Sequence, residues 1–158
     1  TVSHAFCLGD VEPARQLQLI ETLTRCDIAI MTHGPSAGIP SPPVRRLHEA
    51  GVRVFSGSDG VRDSWGPLNT GDMLERAFIV SYLNGFRDDA GLELALRMAT
   101  YAGAEIVGLK DYGIEVGCFA DLLLVPVENR AEAVVAHPVR EVVVKRGNVV
   151  ARHGKCVV

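Results

Sequence analysis

Residues 28–32 are Ile-Ala-Ile-Met-Thr and residues 52–56 are Val-Arg-Val-Phe-Ser, and these two short runs decide the fold. The first is apolar almost throughout and has the length of a strand, which is typical of a strand buried on both faces. A comparable run at 2–6 precedes them. Segments with the apolar spacing of a helix, at 12–25 and 44–50, occupy the intervals between the three runs. This alternation of strands and helices predicts a parallel sheet in an α/β protein.

The second half of the chain has a different pattern. A polar, glycine-rich loop at 57–70 separates it from the predicted parallel sheet. Two helical segments come next, of which the second has a predicted break at Gly103, and strands end the chain. The predicted elements are helices at 71–83 and 92–109, a strand at 120–126, and a hairpin of 139–145 and 148–152 around Arg146-Gly147.

The composition is that of an ordinary folded domain. Of the 158 residues 47% are apolar, and 16 Lys and Arg against 19 Asp and Glu give a net charge of -3. No basic stripe is present, which argues against nucleic acid as a partner, and no apolar run reaches the roughly 20 residues that span a bilayer. The four cysteines show no Cys-x-x-Cys spacing, which indicates free thiols in a reducing compartment. We therefore expect a cytoplasmic protein that binds neither nucleic acid nor membranes.

Three polar side chains lie where the predicted parallel strands end. His4 is near the end of the first strand, His33 follows the second, and Asp59 follows the third. Functional groups of parallel α/β folds gather at this carboxyl edge of the sheet. A carboxylate at position 59 could bind a divalent metal ion, accept a proton from water, or do both, whereas a turn or helix-cap role is the structural alternative. Trp65, in the loop that follows, either anchors that loop on the core or forms a stacking wall for a planar ligand.

Several motifs along the whole chain resemble one protein family. The motifs are Thr1-Val2-Ser3-His4, Ser56-Gly57-Ser58-Asp59, Arg62-Asp63-x-Trp65-x-Pro67, Gly71-Asp72-Met73, and Asp111-Tyr112-Gly113-Ile114-x-x-Gly117-x-x-Ala120-Asp121-Leu122. Together they are similar to the sixth strand, the eighth strand with its loop, and the return into the small β-domain of the amidohydrolase superfamily. The resemblance is to the branch that contains cytosine deaminases, and more closely to its N-isopropylammelide isopropylamidohydrolases.

The resemblance implies a fold, a cofactor and roles for three residues. The fold is the last three βα units of a (β/α)₈ barrel with C-terminal helices at 1–110, followed by strands of a small β-sandwich domain at 111–158. The cofactor is one divalent ion, zinc or iron. Asp59 would bind this ion and shuttle the proton, His4 would orient the attacking water or polarise the ring, and Trp65 would line the substrate pocket. The implied activity is hydrolysis of a C–N bond on a pyrimidine- or triazine-type ring, by an enzyme expected to be a homo-oligomer.

Two departures from the pattern bear on the substrate. Ser58 stands where cytosine deaminase has a histidine, and Gly60 stands where the relatives have an acidic residue or an asparagine, which puts cytosine itself in doubt. The family's remaining metal ligands would precede Thr1, so we expect a C-terminal portion that is inactive and holds little metal alone. The alternatives are a dihydropyrimidinase-like enzyme that opens a cyclic amide, and a non-catalytic α/β binding module if the chain is complete as given.

Overall fold

The computed structural model describes residues 1–35, 38–64 and 66–158. The elements of these described residues are, in chain order, β1 Val2–Ser3, α1 Cys7–Asp10, α2 Pro13–Arg25, β2 Ile30–Thr32, α3 Val44–Glu49, β3 Val54–Ser56, α4 Met73–Leu83, α5 Asp89–Met98, α6 Tyr101–Val107, β4 Leu122–Leu124, α7 Arg130–Ala136, β5 Val142–Lys145, β6 Asn148–Arg152 and β7 Lys155–Cys156.

Strands β1, β2 and β3 form a parallel sheet in that order, which confirms the predicted topology. Ile30 of β2 pairs with Val2 on one side and with Val54 on the other. The strands are shorter than the apolar runs that predicted them. Strand β1 ends at Ser3 rather than at residue 6, because His4 and Ala5 adopt left-handed backbone conformations with φ of 67° and 49°.

The helices cover the sheet and enclose one apolar core. Ile30 and Val54 of the sheet belong to this core, together with Leu47 of α3, Val80 of α4 and Met98 of α5. Helix α4 begins at a strong cap, since the side chain of Asp72 accepts hydrogen bonds from the backbone amides of the first turn. No helix among the described residues is long and apolar enough to cross a membrane.

A second sheet, antiparallel in the order β4-β5-β6-β7, contains the predicted hairpin. Its turn consists of Arg146 and Gly147, whose φ angles of 48° and 80° are both positive, as a two-residue type I′ turn requires. The strand predicted at 120–126 is confirmed in its central part, as β4.

Three elements were not expected, namely α1, α7 and β7. Helix α7 packs on α5 and α4, and its Val134 is completely buried in the core that underlies the parallel sheet. The chain therefore returns from β4 to the first core before it forms β5. The division into 1–110 and 111–158 stays a prediction.

The predicted break at Gly103 is wrong. Helices α5 and α6 separate at Ala99 and Thr100, and Gly103 lies inside α6. At the end of α5, the hydroxyl of Thr100 donates a hydrogen bond of 2.7 Å to the backbone carbonyl of Leu96. A Cβ at position 103 would lie 3.8 Å from the ring of Phe55, which is an ordinary contact distance, so the packing of α6 on β3 does not require a glycine there.

Candidate active site

The three strand-end residues meet at one point. Ligand atoms of His4, His33 and Asp59 all lie within 4.8 Å of one another, and Nδ1 of His4 is 3.2 Å from Nδ1 of His33. They meet because β1, β2 and β3 are parallel neighbours, so the residues that follow each strand leave the sheet at the same edge. The prediction that His4 and Asp59 share one end of the sheet is confirmed.

His33 is the buried member of this cluster, with 8% of its surface exposed. Its backbone carbonyl accepts a hydrogen bond of 2.6 Å from Nη1 of Arg76, a residue of α4 that is 1% exposed. Burial lowers the pKa of His33; the Asp59 carboxylate opposes this shift, while the nearby His4 and Arg76 add to it. The imidazole of His33 is therefore neutral near pH 7, and a neutral imidazole has a ring nitrogen with a free lone pair.

His4 is half-buried and held by aromatic neighbours. Its ring stacks on Phe6 with centroids 5.4 Å apart and meets the ring of His33 edge to face at 5.0 Å. The left-handed backbone of His4 turns the chain out of β1, so that the side chain lies over the end of β2 rather than within the sheet. These aromatic contacts alone hold the His4 ring in this orientation.

Asp59 supplies the exposed carboxylate of the cluster from a tight turn. Its own φ is 58°, another left-handed conformation, which glycine adopts without cost and aspartate adopts only with some strain. Beside it, a Cβ at Gly60 would lie 1.8 Å from Oδ2 of Asp63, so the Asp63 carboxylate occupies the space of a side chain at position 60. The backbone amide of Gly66 donates to Oδ1 of Asp63 at 2.7 Å and holds it there. Trp65, the predicted pocket wall, lies outside the described residues.

The donor set of this cluster suits a divalent transition metal ion. Two imidazole nitrogens and one carboxylate oxygen are the ligand types that zinc and iron take in hydrolytic sites, where three protein ligands leave a position for water. The family resemblance gave Asp59 as the metal ligand and His4 as the residue that orients the water or polarises the ring, but it gave His33 no specific role. The sequence feature that pointed to His33 was its position directly after the second predicted strand. The equivalent positions at the ends of the other two strands pointed to His4 and Asp59.

The fold and this cluster define an α/β protein with two imidazoles and a carboxylate gathered at the carboxyl edge of its parallel sheet. The chain belongs to the amidohydrolase family, since the family model described as "Amidohydrolase family" matches residues 9–151. The expected fold class is confirmed at this level: a mixed α/β chain that corresponds to part of an amidohydrolase.

Relatives of known identity place the chain in the expected branch. It is 32% identical over 153 residues to the N-isopropylammelide isopropyl amidohydrolase of Pseudomonas sp. (strain ADP), covering 96% of this chain and 38% of that protein. The crystal structure of N-isopropylammelide isopropylaminohydrolase from Burkholderia multivorans ATCC 17616 matches with a TM-score of 0.91 and 44% identity, over 98% of this chain and 40% of that one.

A solved structure with lower sequence identity has the same fold. The structure of 5-methylcytosine deaminase from Klebsiella pneumoniae, liganded with 5-fluorocytosine, has a TM-score of 0.82 at 24% identity, over 95% of this chain and 40% of that one. The chain thus spans about two fifths of the length of the relatives it matches. The predicted resemblance to the cytosine-deaminase-like branch is confirmed.

Proposed function

We propose that this chain is part of a metal-dependent hydrolase that replaces an exocyclic amine with oxygen on a pyrimidine- or triazine-type ring. The observation that carries the proposal is the convergence of His4, His33 and Asp59 within 4.8 Å at the carboxyl edge of the sheet. Membership of the amidohydrolase family and the similarity to N-isopropylammelide hydrolases support the proposed class of substrate ring and the proposed cleavage of its exocyclic C–N bond.

Asp59 is the proposed metal ligand and proton carrier. A divalent ion held there would lower the pKa of water towards neutrality and so supply a nucleophile at physiological pH. The Asp59 carboxylate takes the proton that this water loses as its oxygen bonds to the ring carbon. It then delivers the proton to the departing nitrogen, so that the C–N bond breaks with release of a neutral amine. Its exposure on a turn leaves one carboxylate oxygen accessible for this transfer.

His4 is the proposed residue that orients the water or polarises the ring. Its Nδ1 faces His33, which leaves Nε2 as the nitrogen available to the substrate. The contacts with Phe6 and His33 hold the imidazole of His4 in one orientation. Catalysis on a planar substrate ring requires a hydrogen-bonding group that is positioned in this way. Trp65 as the wall of the pocket, and a homo-oligomeric assembly, stay predictions of the same proposal.

The test uses the reading frame that encodes residues 1–158 together with any coding sequence before it. The purified product, with zinc or ferrous iron added, is incubated with N-isopropylammelide, cytosine and isocytosine, and released isopropylamine or ammonia is measured. We expect amine release from at least one of these rings. Opening of a dihydropyrimidine ring in a parallel assay would favour the dihydropyrimidinase-like alternative, and inactivity of the metal-loaded product on all these rings would favour a non-catalytic module.

A further inference from the structure

His4 and His33 face each other through the same ring nitrogen. Their Nδ1 atoms lie 3.2 Å apart, and the two ring planes are nearly perpendicular, at 86°. This is the distance of a hydrogen bond, in which one of the two nitrogens carries a hydrogen and the other a lone pair. Hydrogens on both Nδ1 atoms would collide, and two facing lone pairs would repel each other. The tautomers of the two rings are therefore coupled.

We propose that His33 is a positioning residue for His4: the Nδ1–H of His33 donates to Nδ1 of His4 and fixes His4 in the tautomer that carries its hydrogen on Nε2. The inference rests on the proposed function, which gives His4 its task at the substrate ring. It goes beyond that function because the family resemblance gives His33 no role. In the opposite arrangement His4 would donate to His33 and present a lone pair on Nε2 instead.

The proposed reaction distinguishes between these two arrangements. When the oxygen of water adds to a ring carbon, negative charge develops on the neighbouring atoms of the ring. A hydrogen on Nε2 of His4 can donate to such an atom, and this hydrogen bond strengthens as the charge develops. A lone pair on Nε2 would repel the same atom. The coupled tautomers therefore assign His4 to polarising the ring rather than to accepting a proton from the water.

A buried arginine fixes the backbone of His33. The ring-bearing residue is 8% exposed, and its carbonyl accepts a hydrogen bond of 2.6 Å from Nη1 of Arg76. Arg76 is only 1% exposed, yet among the described residues it has no ion-pair partner and its Nε has no hydrogen-bond partner. A buried guanidinium without a counter-ion is unfavourable. The fold accepts this cost where the guanidinium holds His33 in place.

Further contacts hold the backbone and the rings of the pair. The hydroxyl of Thr32 accepts a hydrogen bond of 3.1 Å from the amide of Gly34, which fixes the chain on either side of His33. The ring of Phe6 stacks on His4 with centroids 5.4 Å apart and meets His33 at 5.8 Å. A hydrogen-bonded pair that is already held in this way does not have to be ordered during the reaction.

The first experiment tests whether the hydrogen bond exists and in which direction it runs. The full reading-frame product is labelled with ¹⁵N-histidine, and its ring resonances are assigned with His4→Phe and His33→Phe. Ring nitrogens that carry a hydrogen and those that carry a lone pair resonate in separate regions of the ¹⁵N spectrum. We expect the hydrogen of His33 on Nδ1, that of His4 on Nε2, and a scalar coupling between the two Nδ1 nitrogens. A hydrogen on Nδ1 of His4, or uncoupled rings, would overturn the proposal.

The second experiment compares two replacements of His33 in the same product. His33→Phe keeps a planar ring and removes the hydrogen bond, whereas the amide nitrogen of His33→Asn can take the position of Nδ1. We expect His33→Phe to lower kcat about 10- to 100-fold with little change of KM, and His33→Asn to recover most of the loss. The matched control is His48→Phe, which replaces an exposed histidine of α3 and should leave turnover unchanged.

A role of His33 in packing alone predicts a different pattern. The loss of kcat would then follow the loss of folding free energy, measured by urea unfolding, and the smaller asparagine would recover neither. Normal kcat in His33→Phe, or a loss that His33→Asn does not recover, would therefore reject the positioning role. The spectra of the unsubstituted product test the hydrogen bond even if His33→Phe fails to fold.

The two proposals fail in different ways. Coupled rings with the expected tautomers, together with no hydrolysis of any ring, would reject the proposed function and leave the tautomer assignment standing. Hydrolysis by a product whose rings are uncoupled, or whose kcat does not respond to His33→Phe, would sustain the function and reject His33 as a positioning residue.

Discussion

Asp72 and Arg140, 68 residues apart in the chain, form an ion pair at the N-terminus of α4. The same carboxylate oxygen accepts hydrogen bonds from the amides of Leu74 at 2.9 Å and Glu75 at 3.1 Å. Arg140 also donates to the carbonyl of Pro138 at 2.9 Å. One side chain thus caps the helix that supports the site and holds the segment that leads into β5.

Replacement of Asp72 by alanine should therefore cost more than the loss of an ordinary cap. A helix cap contributes about 1 kcal/mol, and the half-buried Arg140 would lose its charged partner as well, so we expect a loss of roughly 2–3 kcal/mol. The matched variant is Asp88→Ala, which removes the cap of α5 and only an exposed pair with Arg45, for a loss of about 1 kcal/mol. Urea unfolding of both measures the difference, and equal losses would contradict the role of Arg140.

The same pair predicts acid sensitivity. Burial raises the pKa of Asp72, but hydrogen bonds from Arg140 and the amides of Glu75 and Leu74 outweigh it, so the pKa is lowered overall. A carboxyl whose pKa is lower in the folded state stabilises the fold above its unfolded pKa of about 3.9, and this stabilisation is lost as pH falls through the folded value.

Asp72→Asn keeps a capping oxygen and removes the charge, so it isolates this effect. The free energy of unfolding of the unchanged chain should exceed that of Asp72→Asn by a constant amount from about pH 5 to pH 8, and the difference should shrink below about pH 4. Denaturant unfolding at each pH measures it. A difference that persists unchanged at about pH 3 would show that the charge of Asp72 is not involved.

Asp59→Asn should abolish most turnover in the full reading-frame product. The substitution keeps the volume and removes both the anionic ligand and the proton acceptor. Loss of a general base alone lowers the rate about 10²–10⁴-fold, and weaker metal binding should add to this. The measurements are kcat, KM and bound metal, with Glu115→Gln, an exposed loop carboxylate, as the control. Near-normal turnover by Asp59→Asn on any accepted ring would reject its proposed role.

Trp65→Ala should change substrate selection and leave metal content intact. If Trp65 is a wall of the pocket, its removal raises KM and alters the order of preference among N-isopropylammelide, cytosine and isocytosine. Trp65→Phe keeps an aromatic face and should restore most of the affinity. Unchanged KM values for Trp65→Ala would assign Trp65 to anchoring of the loop instead.

Two glycines of α6 should respond to alanine in opposite directions. Gly103 lies inside the helix with its nearest neighbour at an ordinary contact distance of 3.8 Å, so Gly103→Ala should stabilise the chain by about 0.5–1 kcal/mol. Gly108 ends the same helix with φ of 72°, where alanine is strained, so Gly108→Ala should destabilise by about 1 kcal/mol. Thermal unfolding of the two variants shows whether each substitution raises or lowers the stability of the chain. Destabilisation by Gly103→Ala would show that α6 and Phe55 have no room for a methyl group.

The parallel sheet was predictable because its strands are short, continuous apolar runs separated by helical segments. Their true ends were not, since nothing in the composition of residues 4 and 5 indicates a left-handed backbone. Helix α7 was missed although its signal is present. Asn129 accepts a hydrogen bond from the amide of Glu132, and Glu132 accepts one from the amide of Glu128, an arrangement close to a capping box.

The candidate site was predictable in its location. Strand ends of a parallel sheet converge, so His4, His33 and Asp59 could be placed at one edge of the sheet from sequence order. The contacts of His33 could not be predicted, because they consist of a 3.2 Å approach of its Nδ1 to that of His4 and a hydrogen bond from a buried arginine 43 residues further along the chain. The distance and the hydrogen bond both depend on how separate helices and strands pack together, which the sequence pattern does not show.

The left-handed backbone at His4 and Asp59 has a consequence for how this protein can change over evolution. Each side chain at such a φ costs on the order of 1 kcal/mol that glycine would avoid. A chain selected for thermal stability alone would accept glycine at both positions and lose the two side chains of the proposed chemistry. A histidine and an aspartate there therefore exchange stability for the proposed activity, and a stabilising substitution elsewhere, such as Gly103→Ala, would offset that cost.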